Sequence, residues 1–465
     1  MIARLGSRIS SLFEKTAPDP FTLAVLLTIA TAILAITLGN FDGGTGAALD
    51  TWRGGLWNLL AFAMQMCLIL ATGHALASST PVRRMIASIA SMPTTPRRAV
   101  GLVAIVAVAT GLINWGLGLI VGALLAHEVG RSMSKRGVRV HYPLLAAGGY
   151  AGLAVWHGGL SGSAPLTVST EAGMAGVLSP ETIDAIGENA IPLGSTLFSP
   201  LNAIVSGGML VLIPVVFMLL TPTDPSDARP IEEVAPDCLE DTAPEPLARP
   251  ATIPEWLERT PWLAWLLALA FLIAAGRFVL ATDADRAITD NLQRLGLNEV
   301  TLVMLGLGLI AHGSLAAYGR AMEDAARGCA GIILQFPLYA GIAAMLGASG
   351  LIAQAATALE AADGTALTLL VFASAGVVNF FVPSGGGQFT VQGDLILQAG
   401  LAAGVEPGKL ILAFAYGDQL TNLLQPFWAL PLLAITRCKA REIVGYTAVV
   451  LVACAAWCAI GLAVL

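Results

Sequence analysis

Long apolar runs interrupted by polar and small residues make up most of this chain, and the interruptions recur in the same order in its two halves. In the first half the order is Gln65, then Asn114-Trp115-Gly116, then Ser161 to Pro165; in the second it is Gln335, then Asn379 to Gly387, then Thr421 to Pro426. Matching Gln, Asn and Pro residues are 270, 265 and 261 positions apart. Helices broken inside apolar runs are typical of membrane proteins built from two related halves around a polar site. The pattern predicts inverted or parallel repeats with broken helices at the midplane.

Composition places the chain in a lipid bilayer. It has 465 residues, of which 56% are hydrophobic and 12% are charged, whereas about a quarter of the residues in a soluble domain are charged. The runs Phe21 to Leu38, Pro261 to Leu280 and Val444 to Leu465 are each long enough to cross a bilayer core. We therefore expect a single all-α polytopic membrane domain.

The acidic charge is confined to one segment. Residues 221–260 hold ten acidic residues, three arginines and eight prolines, and their net charge of −7 equals that of the whole chain. This composition predicts a flexible, acidic, Pro-rich cytoplasmic linker and argues against nucleic-acid binding. The six cysteines form no CxxC pair, so neither a metal site nor a disulfide framework is expected.

Basic residues predict the topology. The loops Ser79 to Arg98 and Glu128 to His141 each carry four Lys or Arg residues, which places both on the cytoplasmic side. Only the apolar stretch 99–127 separates them, so it must enter the membrane and return. It predicts a re-entrant hairpin that turns at Asn114, with two arms of about 14 residues, too short to span.

The same rule applied along the chain predicts about nine crossings and two re-entrant hairpins. The first repeat is 1–220, with hairpin 99–127 and helix break 161–165. The linker 221–260 is followed by an extra connecting helix and outer loop at 261–297. The second repeat, 298–465, has hairpin 367–400 and helix break 421–426, and is inverted relative to the first. The N-terminus is predicted to be cytoplasmic and the C-terminus outside.

Broken helices expose N–H groups and side-chain oxygens that suit a carboxylate or a small cation. The candidates for substrate binding lie at the hairpin tips and helix breaks: Asn114, Trp115, Gly116, Ser161, Ser163, Asn379, Ser384, Gly385, Gly386, Thr421, Asn422 and Gln425. Gly385, Gly386 and Gly387 would let the backbone approach a ligand closely. The alternative is close helix packing, which also favours small and polar residues in membranes.

Two titratable residues are candidates for a coupling ion. Asp418 lies inside an apolar run, where a carboxylate costs about 2.5–3.5 kcal/mol on insertion scales. His157 lies beside the first break, and histidine readily exchanges a proton near neutral pH. The alternatives are a carboxylate that serves a buried dipole and a packed neutral histidine. Gln65 and Gln335 either orient the substrate or bridge helices.

Enzyme motifs are missing from the sequence. It contains no HExxH, no GxSxG around a plausible serine and no P-loop. We therefore expect no enzymatic activity, no cofactor and no metal. A channel or receptor is the alternative outside transport.

Several strings are specific to one family: Trp57 to Met66, Thr72 to Ala77, Ile113 to Gly116, Val382 to Gly387 and Gln425 to Pro431. They resemble the bacterial short-chain fatty acid transporter family, within the ion transporter superfamily. The resemblance implies a multi-pass protein of the bacterial inner membrane. It also implies a homodimer with elevator-like movement that takes up butyrate, acetoacetate and similar monocarboxylates.

One motif departs from the sodium-coupled dicarboxylate carriers of that superfamily. Their Ser-Asn-Thr tip is replaced here by Ile113-Asn114-Trp115 and by Val378-Asn379-Phe380. The departure favours H⁺ over Na⁺ as the coupling ion, and a substrate with one carboxylate and a short alkyl tail. A carrier of dicarboxylates or other organic anions, coupled to sodium, is the alternative.

Overall fold

The computed structural model describes residues 15, 20–39, 41, 44–58, 60–239, 250–280, 297–351, 362, 364–381 and 385–465. Helices joined by turns make up this part of the chain, and no strand occurs in it, as the predicted all-α class requires. The candidate site residue Ser384 and most of the predicted outer loop, at 281–296, lie outside the described residues.

The helices are numbered here in chain order. They are α1 Pro20–Thr37, α2 Gly44–Gly55, α3 Leu60–Ser78, α4 Thr80–Ala90, α5 Pro96–Ile113, α6 Trp115–Lys135, α7 Tyr142–Tyr150, α8 Ser163–Val168, α9 Glu171–Ala175, α10 Pro180–Ile186, α11 Pro200–Leu220, α12 Ile231–Val234, α13 Ile253–Arg259, α14 Pro261–Leu280, α15 Leu297–His312, α16 Leu315–Ala326, α17 Ala330–Ala348, α18 Gly364–Phe381, α19 Gly385–Ala402, α20 Pro407–Thr421, α21 Pro426–Thr436 and α22 Ala440–Val464.

Six segments in the described ranges are long and apolar enough to cross a membrane. They are Pro96–Ile113, Pro200–Leu220, Pro261–Phe278, Leu315–Ala348, Gly364–Phe381 and Ala440–Val464. Three shorter apolar helices accompany them, at Phe21–Thr37, Ala63–Leu76 and Thr301–His312. The chain is therefore a multi-pass membrane protein. The count of nine crossings stays a prediction.

The helices pack into two groups. In one, α3 packs on α15 and α16, α15 on α14, and α17 on α1 and α2. In the other, α5 packs on α6, α7 and α11, α11 on α22, and α18 on α20. The second group contains both hairpins and both helix breaks, so it holds the candidate site.

The first hairpin has longer arms than predicted. Its two helices, α5 and α6, meet at Asn114 and have 18 and 21 residues, where 99–127 with arms of about 14 residues was expected. The arms are longer because both helices continue past the apolar run into its charged flanks. That the hairpin is re-entrant stays a prediction. The arms pack closely at the tip, where a Cβ on Gly118 would lie 2.6 Å from the Gly111 Cα.

The second hairpin comprises α18 and α19, which flank residues 382–384 and extend the predicted range 367–400 by a few residues at each end. Asn379 lies in the last turn of α18 rather than between the two helices. Its side chain is fully buried.

The two helix breaks differ in length. The second runs over a short 3₁₀ turn, Asn422–Leu424, between α20 and α21, close to the predicted 421–426. The first was predicted at 161–165 but begins ten residues earlier, because α7 ends at Tyr150 and two 3₁₀ turns follow, Ala151–Ala154 and Trp156–Gly158. Pro165 lies in the first turn of α8, where proline is tolerated, so it marks the restart of the helix and not the break.

Part of the predicted flexible linker is bound to the second helix group. Residues 221–239 form a strap of short turns in which the Ile231 side chain is fully buried. The Tyr142 N–H donates to the Arg229 carbonyl at 2.9 Å, and the Arg229 guanidinium lies 2.6 Å from the Glu442 carboxylate. The prediction of a flexible 221–260 segment is therefore wrong for 221–239, because its few apolar and basic residues find partners among the helix ends.

The strap is expected to loosen in acid. Burial and the nearby Arg229 charge lower the pKa of His141 to about 4, and its neutral Nδ1 accepts the Arg229 N–H at 3.1 Å. A histidine pKa lowered by folding adds stability that is present above pH 6.5 and is lost as the pH falls toward 4. Proteolysis within 221–239 should accelerate over this range in the wild type and less in His141→Gln. Equal rates at pH 8 and pH 5 would contradict the assignment.

Glycines allow α6 and α7 to touch through their backbones. A Cβ on Gly122 would overlap the carbonyl oxygen of Gly149, and a backbone atom cannot swing aside. Gly122→Ala is expected to destabilise the protein by about 3 kcal/mol, the upper end for overpacking, measured by thermal unfolding in detergent. Gly207→Ala is the matched control, since a Cβ there meets no atom within 4 Å. Equal melting temperatures would show that the helices separate easily.

Candidate functional site

The two helix breaks meet in the protein interior. The Tyr150 hydroxyl, at the end of α7, donates to the carbonyls of Asn422 at 2.7 Å and Gln425 at 3.0 Å. The Trp156 Nε1–H donates to the Asn422 Oδ1 at 2.8 Å. Each break therefore satisfies polar groups of the other, as broken helices in a membrane require.

Gln419 supplies a second connection between the halves. Its Oε1 accepts the backbone N–H groups of His157 and Gly158 at 3.0 and 3.1 Å. These N–H groups belong to the 3₁₀ turn of the first break and have no helical acceptor. Gln419 was not among the predicted site residues, although a glutamine next to Asp418 inside an apolar run could have indicated a buried polar site.

His157 and Asp418 form a buried pair between the two breaks. The His157 Nδ1 lies 2.6 Å from the Asp418 Oδ2, and both side chains are fully buried. The His157 Nε2 accepts the Ala164 N–H at 3.0 Å, so Nε2 carries no hydrogen in this state and the Nδ1–H donates to Asp418. Both Asp418 oxygens accept N–H groups, from His157 and from Asn379, which is the arrangement of a neutral imidazole beside an ionised carboxylate.

The site holds one uncompensated negative charge. The Asp418 Oδ1 accepts the Asn379 Nδ2–H at 2.6 Å, but an amide brings no charge. No Lys or Arg pairs with Asp418 in the described part of the chain. The helices α7, α8 and α18–α20 contain one basic residue, Lys409, at the start of α20. A buried charge of this kind is costly, and a proton added at the His157 Nε2 would neutralise the pair.

The first residue of α19, Gly385, lies on this pair. A Cβ on Gly385 would lie 2.8 Å from the His157 Cε1, 2.9 Å from the Trp156 Cη2 and 3.0 Å from the Ser163 Oγ. The Ser163 Oγ lies 3.0 Å from the His157 Nε2, and a Cβ added at Gly386 would lie 3.7 Å from the Ser163 Cβ. The absence of a side chain at Gly385 thus permits the hairpin to approach.

Asn379 joins the hairpin to the second break. Its Oδ1 accepts the Gln425 Nε2–H at 2.7 Å, and the Asn422 Nδ2 lies 3.4 Å from the same oxygen. The Asn422 Nδ2 also donates to the Gln425 Oε1 at 3.1 Å. Three predicted residues, Asn379, Asn422 and Gln425, are therefore brought together with Asp418.

The tip of the first hairpin is held by its own contacts. The Asn114 Oδ1 accepts the N–H groups of Gly116 and Leu117 at 3.0 and 3.1 Å, which makes it the N-cap of α6. The Trp115 N–H donates to the Ser161 Oγ at 3.0 Å. Asn114 and Ser161 thus fix the shape of the tip, and any contact with a substrate would be added to these bonds.

Aromatic rings connect the tip of the first hairpin to His157. The Trp115 ring lies edge-on to Trp428 at 5.2 Å and to Trp156 at 6.5 Å between centroids. Trp156 in turn stacks on the His157 ring at 4.3 Å. Three tryptophan rings, of Trp115, Trp156 and Trp428, therefore lie together beside His157.

The remaining predicted residues are Gln65, Gln335 and Thr421. The Gln65 Nε2–H donates to the Asn298 Oδ1 at 2.7 Å and bridges α3 to α15, and Gln335 lies on α17, so both belong to the first helix group. The Thr421 Oγ1–H donates to the Asp418 carbonyl of its own helix at 3.2 Å. Within the described residues, no cluster of three or more His, Cys, Asp or Glu side chains could hold a metal ion.

Two helix breaks that bond to each other around a buried His–Asp pair, in a multi-pass membrane protein, are typical of the class of transporters. The model of the family described as short chain fatty acid transporter matches residues 1–465. A relative from Haemophilus influenzae is 36% identical over 451 residues and one from Escherichia coli is 37% identical over 452; each match covers 96% of both chains. Both relatives carry the provisional name short-chain fatty acid transporter. The chain belongs to the short-chain fatty acid transporter family, which is a transporter family and not an enzyme family.

Two solved structures align with the chain over most of its length. The YdaH transporter from Alcanivorax borkumensis shares 16% identity at a TM-score of 0.45, covering 95% of this chain and 98% of that one. The Neisseria gonorrhoeae protein MtrF shares 13% identity at a TM-score of 0.43, with 97% of each chain covered.

Proposed function

We propose that the protein is a proton-coupled secondary transporter of short-chain monocarboxylates such as butyrate and acetoacetate, which bind between the second hairpin and the two helix breaks. The observation that carries the proposal is the buried His157–Asp418 pair at the crossing of the breaks. Family membership and the names of the relatives support the substrate class. The tryptophan wall of Trp115, Trp156 and Trp428 supplies apolar surface for a short alkyl tail.

The surroundings of Asp418 favour a proton over sodium as the coupling ion. A sodium site at a broken helix is built from backbone carbonyls and side-chain oxygens. The Asp418 carboxylate instead faces the Nδ1–H of His157 and the amide N–H of Asn379, which are hydrogen-bond donors. The single lone pair at the His157 Nε2 accepts the Ala164 N–H, so a proton taken up there would break that one bond while both donors to Asp418 stay in place.

The two helix groups suggest how the site changes sides. Both hairpins and both breaks lie in the second group, which could move as a unit against the first in an elevator-like cycle. By family analogy the first group would then form the dimer contact. The orientation that fits the basic loops has the N-terminus in the cytoplasm and the C-terminus outside a bacterial inner membrane.

The proposal is tested with the purified protein in liposomes. Labelled butyrate should accumulate against its gradient when the lumen is alkaline, and unlabelled butyrate and acetoacetate should compete. Empty liposomes control for diffusion of the undissociated acid. Absence of protein-dependent uptake under every proton and sodium gradient would contradict the proposal. Stronger competition by succinate than by butyrate would favour a dicarboxylate carrier.

A further inference from the structure

Two glutamines of the second hairpin are buried with unused hydrogen-bonding atoms. Gln388 and Gln392 lie one turn apart on α19, and both are fully buried. Among the described residues, the Gln388 Oε1 and the Gln392 Nε2 have no hydrogen-bond partner. Such groups cost free energy if nothing ever pairs with them.

The orientation of both amides follows from one carbonyl. The Gln388 Nε2 lies 2.8 Å from the Ala375 carbonyl oxygen on α18, which can only accept, so this atom of Gln388 must be the amide nitrogen. It also lies 2.7 Å from Gln392, whose facing atom must then be Oε1. The pair therefore leaves one acceptor, the Gln388 Oε1, and one donor, the Gln392 Nε2.

The pair adjoins the proposed site. Gln388 and Gln392 are three and seven residues beyond Gly385, so they share its face of α19, about one and two turns from the His157 contact. The neighbouring Phe389 ring lies 5.1 Å from Phe414, which lies 5.9 Å from the His157 ring. A substrate bound beside His157 at the start of α19 would therefore lie about one to two helical turns from the glutamines.

The charge of the site disfavours a second anion. Asp418 already contributes an uncompensated carboxylate, and the other charged side chains on α19 and α20 are Asp394 and Lys409. Asp394 is engaged with Ser179 and Thr182, and Lys409 lies nine residues from Asp418. A like charge nearby favours the neutral form of a carboxyl group.

We propose that Gln388 and Gln392 hold the carboxyl group of the substrate in its protonated form. The acid carbonyl accepts from the Gln392 Nε2–H, and the acid O–H donates to the Gln388 Oε1. The carboxylate gains one proton on binding, RCOO⁻ + H⁺ giving RCOOH, and returns it on release, so that acid and proton cross together without net charge. This rests on the proposed function, because it assigns the chemical form of the acid at that same site.

Neutral and anionic analogues separate the two forms. Butyramide presents a carbonyl and an N–H where butyric acid presents a carbonyl and an O–H, whereas propane-1-sulfonate is always an anion. In liposomes with equal pH on both sides, butyramide should inhibit labelled butyrate exchange with an inhibition constant within about tenfold of the butyrate KM, and the sulfonate should not inhibit. Inhibition by the sulfonate, or none by butyramide, would overturn the inference. Lack of any butyrate exchange would instead refute the proposed function.

A variant locates the interaction. Gln392→Met removes the donor and is expected to raise the inhibition constant of butyramide about tenfold, the loss of one hydrogen bond. The matched control is Gln398→Met on the same helix, whose amide pairs with Asp394 at 3.0 Å, and it should leave the constant unchanged. An unchanged constant in a folded Gln392→Met protein would remove the glutamine from the site. If that variant does not fold, the analogue comparison in the wild type decides.

Discussion

Asp418→Asn is expected to abolish proton-driven accumulation of butyrate while exchange of internal for external butyrate continues. The substitution removes the buried negative charge that makes the site take up a proton, so the acid can bind and exchange without one. An asparagine amide facing the His157 Nδ1–H also forces the imidazole to the other tautomer, whose Nε2–H then meets the Ala164 N–H. If the asparagine turns its oxygen to His157 instead, its amide nitrogen faces the Asn379 Nδ2. One hydrogen bond is lost in either arrangement, at a cost of about 1–3 kcal/mol.

The measurement compares uptake under a pH gradient with counterflow at equal pH. Asp394→Asn is the matched control. Asp394 is a carboxylate on α19 of the second hairpin, and it accepts hydrogen bonds from the hydroxyls of Ser179 and Thr182. It should retain accumulation. Wild-type pH dependence in Asp418→Asn would assign Asp418 to hydrogen bonding with Asn379 and His157 alone.

Gly385→Ala is expected to lower butyrate exchange at least tenfold in protein that remains folded. The added methyl would lie within 3.0 Å of His157, Trp156 and Ser163, and all three are held by further bonds. Overpacking costs about 1–3 kcal/mol, and about 1.4 kcal/mol is a tenfold change. The second hairpin would then be unable to pack against the His157–Asp418 pair.

A glycine in open space provides the control for this variant. Gly319→Ala on α16 places its methyl where no atom lies within 4 Å, so exchange should match the wild type. Thermal unfolding checks that both variants fold. Full exchange by Gly385→Ala would mean that the hairpin does not close on His157 during transport.

Features of the fold and the site that depend on the type of one residue could be predicted from the sequence. Asn114 turns the first hairpin because its side chain caps the helix that follows. The break at Asn422–Leu424 was found because Pro426 ends the α20 pattern one turn later. Asp418 and His157 were named separately, since a charged or titratable residue in an apolar run is visible without knowing its partner.

Features that depend on tertiary contacts were not predicted. The first break starts at Ala151, where Tyr150 and Trp156 bond across to Asn422, and these partners are distant in the sequence. The strap at 221–239 has the composition of a flexible linker, but Ile231 and Arg229 are bound by distant helices. Gln388 and Gln392 could have been noticed from their four-residue spacing in an apolar arm, although their partner atom, the Ala375 carbonyl, is a backbone group.

The location of bound butyrate tests the account most directly. A structure of the protein with butyrate in a lipid nanodisc should show the acid between the second hairpin and the crossing of the two breaks, with its alkyl tail toward Trp115 and Trp156 and its carboxyl group near Gln388 and Gln392. Butyrate bound in the first helix group, for example between α3 and α15, with the His157–Asp418 region unchanged, would contradict it.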